Sequence, residues 1–404
     1  MDERPLKIAI VNLITRSMSV FASPFSMIGR TDLGGGSDDD LNITHVSKCL
    51  ADRGHQVKVF VADAYRPEHE TYSSGNPVVE YLPTRLAKVL PPAMFPFTPS
   101  LPSSLHRGNF DVVQTGELFQ TGTMLSWLNA RRSNTPLLVW QELDKVMRGP
   151  PGMLQNAYYR SLGKAVVKRM SAAIPRSISA KNHLLAMGVP KEKLELVVHS
   201  GVDAERFRPI EMEACRQHLG IAQSRKVLLA TCRLDHIKGL DILLETIAIM
   251  RRQLPDVLLV IQGVGPEGPR LHDQVARLRI QDNVMFLEKQ IPHISMPRLF
   301  SIADMHVVCS RVDLFPFVAI EGIACGVPLA TSFAGGMKTD IVDAGAGMMI
   351  RSDPPGMAED LSALLGEERR MRKLGERGVE LARQEFDFKV CAARLEEIYR
   401  RHLH

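Results

Sequence analysis

The chain has 404 residues, 45% hydrophobic and 24% charged, with a formal net charge of +5. This balance excludes a disordered protein and suits roughly two or three packed domains at ~150 residues each. No apolar run approaches the ~18–20 residues of a spanning helix, and no basic stripe or aromatic-basic motif marks a nucleic-acid reader.

Charge is uneven along the chain. Residues 1–200 carry 23 Lys/Arg against 17 Asp/Glu, and the remainder 27 against 28. The positive first half fits an anionic surface or a phosphorylated partner, and it also fits ordinary scatter. "MDERPLKIAIVNL" starts acidic and goes directly into a strand-like run, unlike a signal peptide. Cys49, Cys215, Cys232, Cys309, Cys325 and Cys391 are scattered, without a CxxC pair. They read as reduced thiols of a cytoplasmic protein.

In chain order, "LKIAIVNL" (6–13) is a strand rich in β-branched residues. A glycine-rich loop follows, then a helix pattern over 41–54 closed by Gly54, and a strand at 56–63. Residues 37–42, "SDDDLN", place three aspartates before that helix, where they suit capping and the dipole or bind a ligand hydroxyl. Segments 110–116 and 135–142 repeat the strand pattern. Segment 82–108 is rich in Pro and apolar residues and has no acids. It reads either as a loop packed on its own domain or as a lip for peripheral contact with the inner membrane face or an apolar acceptor. Residues 156–173 read as one basic surface helix.

The alternation restarts after residues 197–209. Strands are expected at 226–234, 257–265, 284–288, 305–310 and 327–332, with a helix at 239–255 ended before Pro255. Repeated β-α-β units imply parallel sheets covered by helices. Two such domains are expected to face a central cleft. The boundaries fall at 1–205, 206–385 and 386–404, the last a helix returning to the first domain.

Two stretches carry the chemistry. "TCRLDHIKG" (231–239) ends a strand and places Arg233 and Lys238 near a helix start, a site suited to phosphate. "SRVDLFPFVAIEGIACGVPLA" (310–330) places Asp313 on a loop and Glu321 one turn into a helix. Pro316 suits the first helical position. One acid can hold a sugar hydroxyl and the other a ribose diol. Otherwise Glu321 is a surface acid favoured by the helix dipole.

These residues resemble the retaining glycosyltransferases of the GT-B fold, the family 4 group of the glycosyl transferases group 1 type. "GVDAERFRP" (201–209), residues 33–60 and the Gly335–Gly336 pair extend the resemblance over about residues 6–345. It implies an α/β, GT-B architecture of two Rossmann-like doubly wound domains, with a nucleotide-sugar donor held mainly by the second. Arg233 and Lys238 would neutralise the diphosphate, and Glu321 would bind the ribose. Asp313, with amides around Phe315 and Phe317, would orient the sugar. Gly35 and Gly36 would allow close backbone approach. Lys289, in "FLEKQIP" (286–292), falls where the family holds the base. The family retains anomeric configuration and generally needs no metal, so neither metal nor cofactor is expected. The partners implied are a UDP- or GDP-hexose and a hydroxyl acceptor: a glycolipid, a polysaccharide or a small metabolite.

The chain departs from the family pattern in several places. The first acid is Asp, Pro316 replaces a Gly, and Cys232 replaces the Gly before the arginine. Histidines common in the first domain are replaced by Gln114, Gly116 and Glu117 in one strand exit and by Glu142 in another. Glu117 and Glu142 are therefore the acceptor candidates, each also readable as a structural acid. A sugar-nucleotide epimerase of the same fold, and a non-catalytic nucleotide-sugar-binding partner protein, are the alternatives.

Overall fold

The computed structural model describes residues 4–14, 42–65, 75–87, 90, 95–147, 149–199, 201–289, 291–313 and 315–403. The chain divides into two compact units, Met1–Ser200 with Phe388–His404, and Gly201–Asp387.

The first unit runs β1 Lys7–Val11, α1 Asn42–Asp52, β2 Gln56–Ala62, β3 Val78–Leu82, α2 Leu101–Gly108, β4 Val112–Gly116, α3 Thr121–Ala130, β5 Leu137–Gln141, α4 Pro150–Arg160, α5 Leu162–Arg169, β6 Ala172–Pro175 and α6 Ile178–Ala186. Its six strands are parallel, in the order β3-β2-β1-β4-β5-β6. The second unit runs α7 Met212–His218, β7 Lys226–Thr231, α8 Leu240–Met250, β8 Val257–Gln262, α9 Gly268–Leu278, β9 Val284–Leu287, α10 Met296–Phe300, β10 Met305–Val308, α11 Phe317–Ala324, β11 Leu329–Thr331, β12 Gly347–Met349, α12 Pro354–Gly366 and α13 Glu368–Leu381. Its sheet order is β12-β11-β10-β7-β8-β9. Read from the other edge with its own numbering, this is the same winding. The order in which strands are added reverses once in each sheet, between β1 and β4 in the first and between β7 and β10 in the second. In doubly wound folds ligands bind beyond the strand carboxyl ends at that reversal.

The central strands carry apolar residues on both faces because helices cover both faces of a parallel sheet. Ile8, Ala9, Ile10 and Val11 are all buried, as are Val227, Leu228, Leu229 and Ala230. Helix α8 buries Leu240, Leu243, Leu244, Ile247 and Met250, spaced by three and four, against this sheet.

The last helix, α14 Phe388–Arg401, belongs to the first unit. It packs beside α1, with Cys391, Ala392, Leu395, Ile398 and Tyr399 in the same core as β1, β2 and β4. Its Glu396 pairs with Arg53 at 2.5 Å and lies 3.3 Å from the buried His55.

Three strands were not read from the sequence: β3, β6 and β12. Segment 82–108 is more than loop. It holds an Arg85–Phe97 bridge and helix α2, which buries Leu101, Ser104 and Leu105. Residues 156–173 are not one helix, because Ser161 adopts φ −120, ψ −101 and separates α4 from α5. Among the described residues no helix is long and apolar enough to cross a membrane.

A pH dependence follows from His306 on β10. The ring is fully buried, with Nε2 3.0 Å from the Thr231 hydroxyl, and burial lowers its pKa to about 3. The folded chain therefore keeps this imidazole neutral, while the unfolded chain protonates it below about 6.5. Its contribution to stability is complete above that pH and is lost as pH falls towards 3, at up to about 1.4 kcal/mol per pH unit. Urea unfolding of the second unit is expected to lose about 2 kcal/mol between pH 7 and pH 5. The loss should be smaller in His306→Gln; an equal loss in both proteins contradicts the assignment.

Candidate active site

In the second unit the exits of β7 and β10 lie side by side at the sheet reversal. After β7 the chain makes a single turn, His236–Lys238, capped by the Asp235 side chain, which accepts from the Ile237 N–H. Gly239 then takes the left-handed φ of +70. A Cβ there would lie 2.2 Å from the Cys309 carbonyl oxygen, so only glycine lets the two exits approach this closely. Arg311, after β10, fastens them further. Its guanidinium pairs with both oxygens of Asp241 at 2.7 and 2.8 Å and donates to the His236 carbonyl. Burial opposes ionisation of Asp241, but the Arg311 bonds prevail and leave its pKa below the usual value.

Across this seam Lys238 Nζ donates to Asp313 Oδ2 at 2.7 Å, and the Ser310 hydroxyl donates to the same oxygen at 2.9 Å. The side chains of Lys238 and Asp313 are 20% and 14% exposed, so each holds its charge largely out of water. Arg233, from the same exit as Lys238, is more open at 44% and is held by Asp235 at 2.8 Å. The arrangement offers two cations and an oriented carboxylate beyond the strand ends, suited to a polyanionic group carrying hydroxyls. Burial pushes the thiols of Cys232 and Cys309 up to about 12, so both stay protonated and unreactive.

The remaining expected residues are placed differently. Glu321 lies in α11, 2.7 Å from His293 Nε2, and makes no described contact with Lys238, Asp313 or Arg233. Pro316 stands one position before the first helical residue, because its ψ of 125 is extended. The Phe315 ring is buried in the core against Phe386, and Phe317 opens α11. Lys289 is exposed just past β9. Gly35, Gly36 and the aspartates of 37–42 lie outside the described residues. Among the described residues no three His, Cys, Asp or Glu side chains group closely enough to hold a metal ion.

In the first unit Glu117 follows β4 directly. Its backbone has φ +55, in the left-handed region, which costs a non-glycine residue about 1–3 kcal/mol unless its surroundings enforce it. Three bonds do so. The Glu117 N–H donates to the Trp140 carbonyl, and the Thr123 hydroxyl to the Glu117 carbonyl at 2.6 Å. The N–H of Leu118 donates to the Gln141 side chain. Glu142, at the exit of β5, pairs with Arg176 at 2.9 Å. Arg176 also lies over the Trp140 ring, 4.4 Å from its centroid. Gln114 is committed to the core, accepting from the Tyr399 hydroxyl at 2.7 Å.

Ser310, Arg311, His293 and Arg176 escaped the sequence reading. Arg311 and Asp241 stand 70 positions apart, and no spacing rule links them.

The description "Glycosyl transferases group 1" matches residues 211–380, and "Glycosyl transferase 4-like domain" matches 42–198. The D-inositol 3-phosphate glycosyltransferase of Thermobispora bispora is 28% identical over 95% of this chain and 93% of its own. The enzyme of that name from Nocardia farcinica is 26% identical over 94% and 86%. Sucrose-phosphate synthase from Thermosynechococcus elongatus shares the fold, with TM-score 0.75, 20% identity and 98% of both chains covered. So does Anabaena HepE, solved in complex with UDP, with TM-score 0.74, 17% identity, and 98% of this chain and 100% of that one covered. The two doubly wound sheets and the matches along both of them make one conclusion: the chain belongs to the group 1 glycosyltransferases of the GT-B fold.

Proposed function

We propose that this glycosyltransferase moves a hexosyl unit from a UDP- or GDP-sugar to a hydroxyl acceptor with retention of anomeric configuration. The observation that carries the reading is the Lys238–Asp313 pair of 2.7 Å, bridging the two exits at the sheet reversal. A diphosphate entering there brings more negative charge than Asp313 and competes for the Lys238 ammonium. Lys238 and Arg233 then offset the charge that builds on the departing phosphate, which is where an enzyme gains most from fixed charges. Asp313, still held by Ser310, is left to accept from the sugar hydroxyls. Glu321 takes the ribose once the nucleotide displaces His293. Two protein cations supply the countercharge, so no step is assigned to a metal or cofactor. Attack from the face that the phosphate leaves needs positioning more than an added base. The UDP complex of HepE supports a uridine nucleotide as the first donor class to test. The names of the relatives support a phosphorylated polyol as the first acceptor.

Calorimetry with UDP, GDP, UDP-glucose, UDP-N-acetylglucosamine and GDP-mannose should find one nucleotide class that binds. Adding D-inositol 3-phosphate, and then other polyols and sugar phosphates, should release nucleotide and yield a product with the donor's anomeric configuration by NMR. An inverted product overturns retention, and binding of no nucleotide overturns the donor site.

A further inference from the structure

Both carboxylate oxygens of Glu117 are used inside the protein. Oε1 accepts from the backbone N–H of Glu142 at 2.8 Å and of Leu143 at 3.1 Å, and Oε2 from the Gln141 side-chain amide at 2.7 Å. All three donors belong to the exit of β5, so the carboxylate of one strand exit holds the backbone of the next. The turn it holds presents Glu142, which Arg176 clamps through Oε2. Glu142 Oε1 takes no hydrogen bond among the described residues. The two exits stand beside the reversal of the first sheet, the place where this fold binds a ligand.

We propose that Glu117 is a positioning residue for the acceptor: its carboxylate fixes the Glu142–Leu143 turn and thereby aims the Glu142–Arg176 pair at the acceptor hydroxyl. This rests on the transferase reading given above. The strained backbone of Glu117 fits the role, since residues kept in rare conformations gather where geometry serves function. So does its chemistry. An ionised carboxylate offers acceptor sites to all three donors, whereas a protonated one turns an oxygen into a donor that faces N–H groups.

The groups facing Glu117 are Glu142 on the β5 exit, Arg176 on the β6 exit and Tyr159 on α4. Burial, and then the charge of Glu142, push the Glu117 carboxyl up to about 8, against the pull of the Glu142 and Leu143 N–H groups and of Arg176. As pH falls through that region Glu117 takes up a proton and the turn loosens. The acceptor step should therefore decline on the acid side, while donor binding in the second unit does not.

The test compares wild type, Glu117→Gln and Glu142→Gln. UDP-glucose (or GDP-mannose, if calorimetry favours guanosine) is the donor, D-inositol 3-phosphate and the polyol panel are the acceptors, and melting curves confirm folding. In wild type, kcat/KM for the acceptor should fall below a midpoint near pH 8. In Glu117→Gln it should be about tenfold lower at pH 9, as for loss of one part-buried charge-assisted contact, and the acid limb should vanish. In Glu142→Gln the limb should move to lower pH, because the repelling charge is gone. Donor affinity should stay within about twofold in both variants, since neither touches the second unit. An acid limb kept unchanged in Glu117→Gln, or an acceptor KM and kcat equal to wild type, overturns the proposal. Donor binding without transfer to any panel member by wild type contradicts the proposal and leaves the donor site standing. No donor binding at all contradicts the reading beneath it.

Discussion

Lys238→Ala should cut glycosyl transfer by about 10²–10³-fold, the scale of losing one preorganised charge at the departing group. Two effects combine. The diphosphate loses a cation, and Asp313, only 14% exposed, is left without the ammonium that Lys238 holds 2.7 Å away. An uncompensated acid at the strand exit then repels the incoming nucleotide. The second effect can be separated. Adding Asp313→Asn should raise nucleoside diphosphate affinity more in Lys238→Ala than in wild type, so the two changes are not additive. Asp313→Asn by itself frees Lys238. It should keep or raise diphosphate affinity and lower kcat, because the carboxylate proposed to orient the sugar is gone. Calorimetry and initial rates on the four proteins decide this. Equal diphosphate affinity in wild type and Lys238→Ala removes Lys238 from the phosphate site.

Tyr399→Ala should destabilise the first unit by about 3–5 kcal/mol, the usual range for emptying a large buried aromatic site. The ring is fully buried among β1, β2, β4 and α1. Its hydroxyl is the donor to the side chain of Gln114, which is 1% exposed. Tyr399→Phe keeps the packing and orphans that amide oxygen, so it should cost about 1–3 kcal/mol. The ratio of the two losses, from urea unfolding followed by a first-unit probe such as Trp140, separates packing from polar satisfaction. A loss under 1 kcal/mol for Tyr399→Ala would mean that α14 does not complete this core.

Much of the architecture could be read from the chain, for identifiable reasons. Strands β1, β7 and β8 are continuous apolar runs between breakers, because both faces of a parallel sheet are covered. Helix α8 shows its spacing plainly and ends before Pro255. The strands that escaped are those with weak local signals. β3 reads VVEYL with a charge in it, β6 is the four residues AAIP, and β12 is the three residues GMM. They are strands because a neighbour supplies the ladder, a tertiary effect that a local pattern cannot carry. The break between α4 and α5 at Ser161 was equally hidden, since the apolar spacing runs on through it. At the site, Arg233, Lys238 and Asp313 were legible because each stands in the short exit after a strand. The pairing of Lys238 with Asp313 spans 75 positions, and that of Glu321 with His293 spans 28. The inward turn of Glu117 needed a left-handed backbone that no residue type in the sequence announces.

The most direct measurement is a structure of the chain with UDP or GDP bound, whichever calorimetry selects. The account places diphosphate oxygens about 2.7–2.9 Å from Lys238 Nζ, with Arg233 turned towards them and Asp313 released from Lys238. A nucleotide seated elsewhere, with the Lys238–Asp313 bond intact, would contradict it.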